Sequence, residues 1–146
     1  MLNVFHVARF IIEKLGPMTA MKLQKLVYYC QAWSLAWDEV PLFDEEFEAW
    51  ANGPVCPVLY NKHRGQFMLG TDFLADYSGA TFEAAQIETI SAVLDHYGNM
   101  TPEQLSSLTH QERPWKESRA GLDPGERGSQ VIDKALMQDY YGGLIQ

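Results

Sequence analysis

Thr19-Ala20-Met21-Lys22-Leu23-Gln24-Lys25-Leu26-Val27-Tyr28-Tyr29-Cys30-Gln31-Ala32-Trp33-Ser34-Leu35-Ala36-Trp37 carries the pattern of a long helix with one buried face. Leu23, Leu26, Val27, Cys30, then Trp33 or Ser34, and finally Trp37 recur at three- and four-residue intervals, the period of one helical face. Thr19 supplies a capping hydroxyl ahead of them. Lys22 and Lys25 fall on the other side of the wheel, so the spacing predicts a helix to about Trp37 with both lysines in water. Upstream, Asn3 can cap a helix whose face is Val4, Val7, Ala8, Ile11, Ile12 and Leu15, and Gly16-Pro17 stops it. Two helices joined by so few residues form an antiparallel pair.

Downstream, Asp38-Glu39-Val40-Pro41 reads as a turn. Phe47-Glu48-Ala49-Trp50-Ala51 reads as a short strand or a helical turn, ended by the turn signal Asn52-Gly53-Pro54. Pro57 suits the first position of a short helix running to about Arg64, closed by Gly65. Residues 66–80 read as an irregular surface connection with room for one short extended piece. Thr81 opens a helix with Ile87, Ile90, Leu94 and Tyr97 on one face, ended by Gly98-Asn99. Thr101-Pro102-Glu103-Gln104 has the form of a reciprocal capping box and starts a helix to about His110. A further turn or two begins at Pro114-Trp115, and Gly121 to Gly128 is a loop. Ser129 is the expected cap of a last helix through Val131, Ile132, Ala135, Leu136 and Tyr140, with the tail from Tyr140 to Gln146 frayed. The expected fold is therefore mostly α: a compact single-domain bundle over 1–146 of about five to seven helices, with one short strand pair or extended segment near residues 47–55.

The 146 residues carry 11 Lys+Arg against 19 Asp+Glu, a net charge of −8, and are 47% hydrophobic. That composition fits a self-sufficient globular domain and opposes general binding to phosphate backbones. No apolar run approaches the roughly 18 residues of a membrane helix, and the first residues lack the pattern of a secretory leader. A soluble, cytoplasmic protein without membrane association is expected.

Motifs for chemistry are sparse. There is no Gly-x-Ser-x-Gly elbow and no phosphate-binding glycine loop. Cys30 and Cys56 lack zinc-site spacing, and His6, His63, His96 and His110 are scattered singly, so neither metal nor other cofactor is expected. An anion at the helix following Gly121–Gly128, with Arg127 beside it, is physically allowed, but the composition reads as a plain connection. Two small basic groups, Lys62-His63-Arg64 with Tyr60 and Phe67, and Lys22 and Lys25 with Tyr28 and Tyr29, read as solvated helix ends rather than nucleic-acid surfaces. The nearest thing to an active site is His110 with Glu112 beside Trp115, with Cys56 or Tyr60 as further members.

The aromatic content is 12%, and most of it belongs to the core. Tyr29, Trp33 and Trp37 nevertheless follow one another at single helical turns, so part of that row must lie at the core margin. With Trp50 they are the candidate partner-binding residues, aromatics being the side chains that dominate interface hot spots. An acidic surface bearing such anchors favours a basic partner.

Three runs, in this order, resemble the Panacea-domain family, the SocA-like and phage-associated GepA-like antitoxins. The first is Met21 to Tyr29, including Lys22, Leu23, Gln24, Lys25 and Tyr28. The second is Phe47 to Trp50 leading into Gly53-Pro54-Val55. The third is Leu105-Ser106 followed by Thr109, His110, Glu112, Pro114 and Trp115. The resemblance implies a non-catalytic antitoxin that neutralises a cognate toxin by direct binding. In the SocA-like branch it also implies an adaptor presenting the toxin to a ClpXP-type protease. The matched residues are then the signature of a fold. His110 and Glu112 would be hydrogen-bonding struts and Trp115 an apolar plug. A small enzyme centred on His110 and Glu112, or a phage structural or regulatory protein with no toxin, are the competing readings.

Overall fold

The computed structural model describes residues 2–144. Among them are seven α-helices, α1 (Val4–Leu15), α2 (Ala20–Trp33), α3 (Pro57–His63), α4 (Ala84–Tyr97), α5 (Pro102–His110), α6 (Arg113–Ser118) and α7 (Lys134–Gly143). Two antiparallel two-stranded ladders accompany them. β1 (Met18–Thr19) pairs with β4 (Met68–Leu69), and β2 (Glu48–Trp50) pairs with β3 (Gly53–Val55). The mostly helical architecture and the strand pair at 47–55 are as the sequence predicts. The 18–19 and 68–69 ladder uses the option of a short extended piece in 66–80.

The helix starts follow their capping chemistry. Asn3 accepts from the amides of Phe5 and His6, and Thr101 and Gln104 exchange the two bonds of the reciprocal box. Gly16 leaves α1 at φ +85°, where a side chain would be strained. The start of α4 lies two residues beyond the expected cap: Glu83, not Thr81, caps it, with Gln86 returning a bond to the Glu83 amide.

The stretch over 19–37 departs from the simple wheel. α1, α3, α4, α5 and α7 all pack against α2, so α2 has no solvent side over most of its length. Gln24, Lys25 and Gln31 are buried together with Leu23, Leu26, Val27, Tyr28, Tyr29 and Cys30. Lys25, expected in water, is 1% exposed. Lys22 stays partly accessible and donates to the Gly98 carbonyl. After Trp33 the helix widens into a π-helical turn over Ser34–Asp38, which carries Trp37 to the surface.

The last helix also starts later than predicted. Asp133, not Ser129, caps α7. Residues 130–132 run extended along the open edge of β2: Ala49 N–H donates to Gln130 O, and Ile132 N–H to Phe47 O. A strand edge facing the interior must find partners for its backbone, and this demand overrides the helical pattern. Tyr141 is buried and helical, one position from the expected Tyr140, so the chain through Gly143 is not frayed. Ile145 and Gln146 lie outside the described residues.

Candidate functional site

The matched runs meet around α2 and divide into three groups. The first clasps the β2–β3 hairpin. Four successive carbonyls of its outer strand and turn each accept one side-chain bond from α5, α6 or the residue after it. Arg119 reaches Ala49 O (2.9 Å), Trp115 Nε1 reaches Trp50 O (2.8 Å), His110 Nε2 reaches Ala51 O (3.0 Å), and Ser106 Oγ reaches Asn52 O (2.8 Å). A carbonyl can only accept, so His110 carries its proton on Nε2. Ala49 turns both backbone groups away from β3, so Pro54 opposite it loses no ladder bond. Arg119, which the sequence reading missed, is buried. It also binds the carbonyls of Asp123 and Glu126 and lies 5.1 Å over the Trp115 ring.

The second group is a buried polar cluster. Glu112 Oε1 accepts from Tyr29 OH (2.8 Å) and Tyr141 OH (2.7 Å), and the Tyr28 hydroxyl lies 3.2 Å from that of Tyr141. Burial lifts the Glu112 carboxyl above its ordinary pKa, and the two phenol donors oppose the shift. Burial and the neighbouring carboxylate push the Tyr29 phenol far up. Tyr29 stacks on Tyr97 at 4.0 Å, and the Tyr97 hydroxyl accepts from Trp33 Nε1. Tyr29 is therefore fully buried and offers no surface to a partner, unlike Trp37, which is 43% exposed. Trp33 and Trp50 are half-buried.

The third group lies where α2 faces β3 and α3. Gln24 Oε1 accepts from Cys56 N–H (2.8 Å), and its amide donates to Cys56 O (3.2 Å) and His63 Nε2 (3.0 Å). Burial holds His63 below its ordinary pKa, consistent with a neutral ring accepting that bond. Cys56 is buried, and its thiol is pushed up to about 11, which leaves almost no thiolate at neutral pH. Lys25 comes next along α2. Gly53, at φ +122°, leaves the space its chain needs: a Cβ there would stand 2.4 Å from Lys25 Cε. Burial alone lowers the Lys25 ammonium to about 8.

Lys25 forms part of the wall of a cavity of about 910 Å³, whose lining also includes Gln24, His63, Trp50, Tyr60 and Phe67. Arg64 and Arg127 also line it. Arg127 thus belongs to this cavity, and the loop before it turns carbonyls toward Arg119 rather than amides toward an anion.

His110 and Glu112 face different partners, a hairpin carbonyl and the tyrosine cluster, and Gln24 binds the backbone of Cys56. His110 does meet Trp115, edge-on at 4.1 Å between ring centroids, but Glu112 is turned to the tyrosine cluster instead. Among the described residues no group of three or more His, Cys, Asp or Glu side chains is placed to hold a metal, and no helix is long and apolar enough to cross a membrane.

The chain is a small helical domain built on one enclosed helix, and among its clefts is a cavity with a lysine in its wall. The family model of the antitoxin SocA-like, Panacea domain matches residues 23–116, so the chain belongs to that family. No curated protein and no solved structure gives a significant match. The matched span runs from the first turn of α2 into α6, and α1 and α7 outside it pack on α2 or its continuation and complete the same core.

Proposed function

We propose that this chain is an antitoxin that neutralises a cognate toxin by direct protein–protein binding, without catalysing a reaction. The match over residues 23–116 is the observation that carries the reading. The geometry supports it in one respect: His110 and Glu112, the centre of the competing enzyme reading, are each bonded within the fold to different partners. What remains for a partner is exposed aromatic and apolar surface, including Trp37 and Phe67, and such side chains dominate binding hot spots. Residues 1–146 act in this reading as one domain.

The test is co-expression with the product of the adjacent open reading frame. That product alone should arrest growth, and this chain should restore growth and co-purify with it. A harmless neighbour, or rescue without a complex, overturns the reading. Toxin half-life, followed with and without this chain in cells possessing and lacking a ClpXP-type protease, separates occlusion from proteolytic delivery. Unchanged half-life at full rescue means occlusion.

A further inference from the structure

The cavity beside Lys25 has an electrostatic character opposite to that of the whole chain. Its lining includes Lys25, Arg64 and Arg127 and no Asp or Glu, in a protein with 19 acidic residues against 11 basic ones. Lys25 has its side chain buried and no ion pair or hydrogen bond to its ammonium among the described residues. Every other buried polar side chain of α2 is bonded: Gln24 to Cys56 and His63, Gln31 to Leu42 and Phe43. The ammonium has no bonded partner in the fold and is left to the cavity, where little water surrounds it, and an anion beside it recovers much of the cost of that position. The lining also holds Met21, 38% exposed, and Phe67, 78% exposed, together with the half-buried Trp50 and Tyr60. Val58 and Met68, also exposed, extend the apolar surface along α3 and β4.

We propose that this cavity is the toxin-binding pocket, and that it receives an acidic side chain of the toxin, flanked by apolar residues, with the Lys25 ammonium as its buried counter-ion. The proposal rests on the antitoxin reading above. One carboxylate with apolar neighbours matches both the single enclosed cation and the aromatic rim. A nucleic acid matches neither, because beyond these three cations a polyanion meets a body of net charge −8. The acidic remainder of the surface steers a toxin of opposite overall charge, while the pocket fixes its orientation through one inverted contact. Arg64 and Arg127, both exposed, give the rim the sign that guides the carboxylate inward.

The experiment uses the full chain and the co-expressed toxin. Lys25→Met keeps the length and apolar stem of the side chain and removes the charge. It should fold with an unchanged or higher melting temperature yet weaken the complex by about 30-fold or more, the usual consequence of removing one member of a buried charge pair. Lys62→Met removes the same charge from an exposed position outside the cavity and should change affinity less than about twofold. Carbodiimide treatment of the wild-type complex should join the Lys25 amine directly to one toxin Asp or Glu, identified by mass spectrometry. Amide substitution of that residue should match the affinity loss of Lys25→Met.

A well-folded Lys25→Met chain that binds at wild-type strength overturns the pocket and leaves the antitoxin reading intact. Absence of any wild-type complex overturns both. Weakening by Lys25→Met that no toxin carboxylate substitution reproduces, together with protection of Lys25 from acetylation by inorganic phosphate, replaces the carboxylate by a phosphate ligand and overturns the proposal.

Discussion

Glu112 and Lys25 are both ionisable, both buried, and both brought to the core by segments that match the family, yet their surroundings differ completely. Two tyrosine hydroxyls converge on one carboxylate oxygen of Glu112. Among the described residues no hydrogen bond or ion pair is made to the Lys25 ammonium, and the glycine opposite it makes room for its stem. A buried charge with its donors in place fixes an arrangement, here the junction of α2, α7 and the start of α6. A buried charge without a counter-ion weakens the fold that contains it, and its value must be sought in what it meets outside the chain.

The comparison can be broken most sharply at Glu112. Glu112→Ala leaves the hydroxyls of Tyr29 and Tyr141 without their acceptor and opens a void among packed rings, which should cost about 3–5 kcal/mol in urea unfolding. Glu112→Gln retains an acceptor oxygen and should cost roughly 1 kcal/mol. Equal losses from both substitutions would show that the carboxylate matters for its charge rather than for the bonds it accepts.

Lys25 should behave in the opposite sense. Lys25→Met is expected to stabilise the free protein at pH 7, by on the order of 3 kcal/mol. In the folded state the ammonium pKa is lowered from 10.5 to about 8, so the folded chain binds the proton less readily than the unfolded chain. The stability tied to neutral Lys25 is present above about 10.5, is lost as pH falls through about 8, and is absent below it. Unfolding free energies of wild type and Lys25→Met from pH 7 to 10.5 should therefore converge as pH rises. The difference between the two proteins cancels the contribution of the buried tyrosines. Curves that stay parallel would mean that the ammonium is solvated.

Gly53→Ala should give the next largest effect, a loss of about 2 kcal/mol. It places a side chain at φ +122° and drives a Cβ against Lys25 Cε. Lys25→Ala in the same chain removes the clash and leaves only the dihedral strain, so the two substitutions should be less destructive together than their separate effects predict. Additive losses would mean that Lys25 lies elsewhere.

These contrasts mark how far the sequence could be read. The helices capped by Asn3 and Thr101, and the Asn52-Gly53-Pro54 turn, depend on local chemistry that a few adjacent residues carry in full. Lys25 does not, because a hydrophobic period assumes a helix with one wet side, and α2 has neighbours all round. The long polar residues among its apolar ones, Gln24, Lys25 and Gln31, were the available signal: two of them bond backbone brought up from residues 42–56. The Ser129 cap failed for a related reason, since residues 130–132 answer to the open edge of β2 rather than to their own periodicity. Glu112 and His110 were legible as struts, but the groups they bond, the Tyr29 and Tyr141 hydroxyls and the Ala51 carbonyl, lie dozens of residues away in the chain. Arg119 carried no local signature at all, and only the unpaired carbonyls of the hairpin and the following loop explain its burial.

The smallest expected effect on stability sharpens the same contrast at the surface. Trp37 rests against Trp33 at 4.7 Å on the π-helical turn but keeps nearly half its area in solvent. Trp37→Ala should therefore cost no more than about 1 kcal/mol. Its effect on the toxin complex is informative because that structural cost is so low. If the toxin touches only the mouth of the Lys25 cavity, Trp37→Ala leaves affinity within about twofold while Lys25→Met does not. If the interface also covers the aromatic row, Trp37→Ala weakens the complex by about tenfold or more, as loss of an aromatic hot spot does. The Trp37→Ala, Lys25→Met double variant then decides between one continuous interface and two separate contacts. Separate contacts give additive losses, whereas a continuous interface gives a combined loss that departs from the sum.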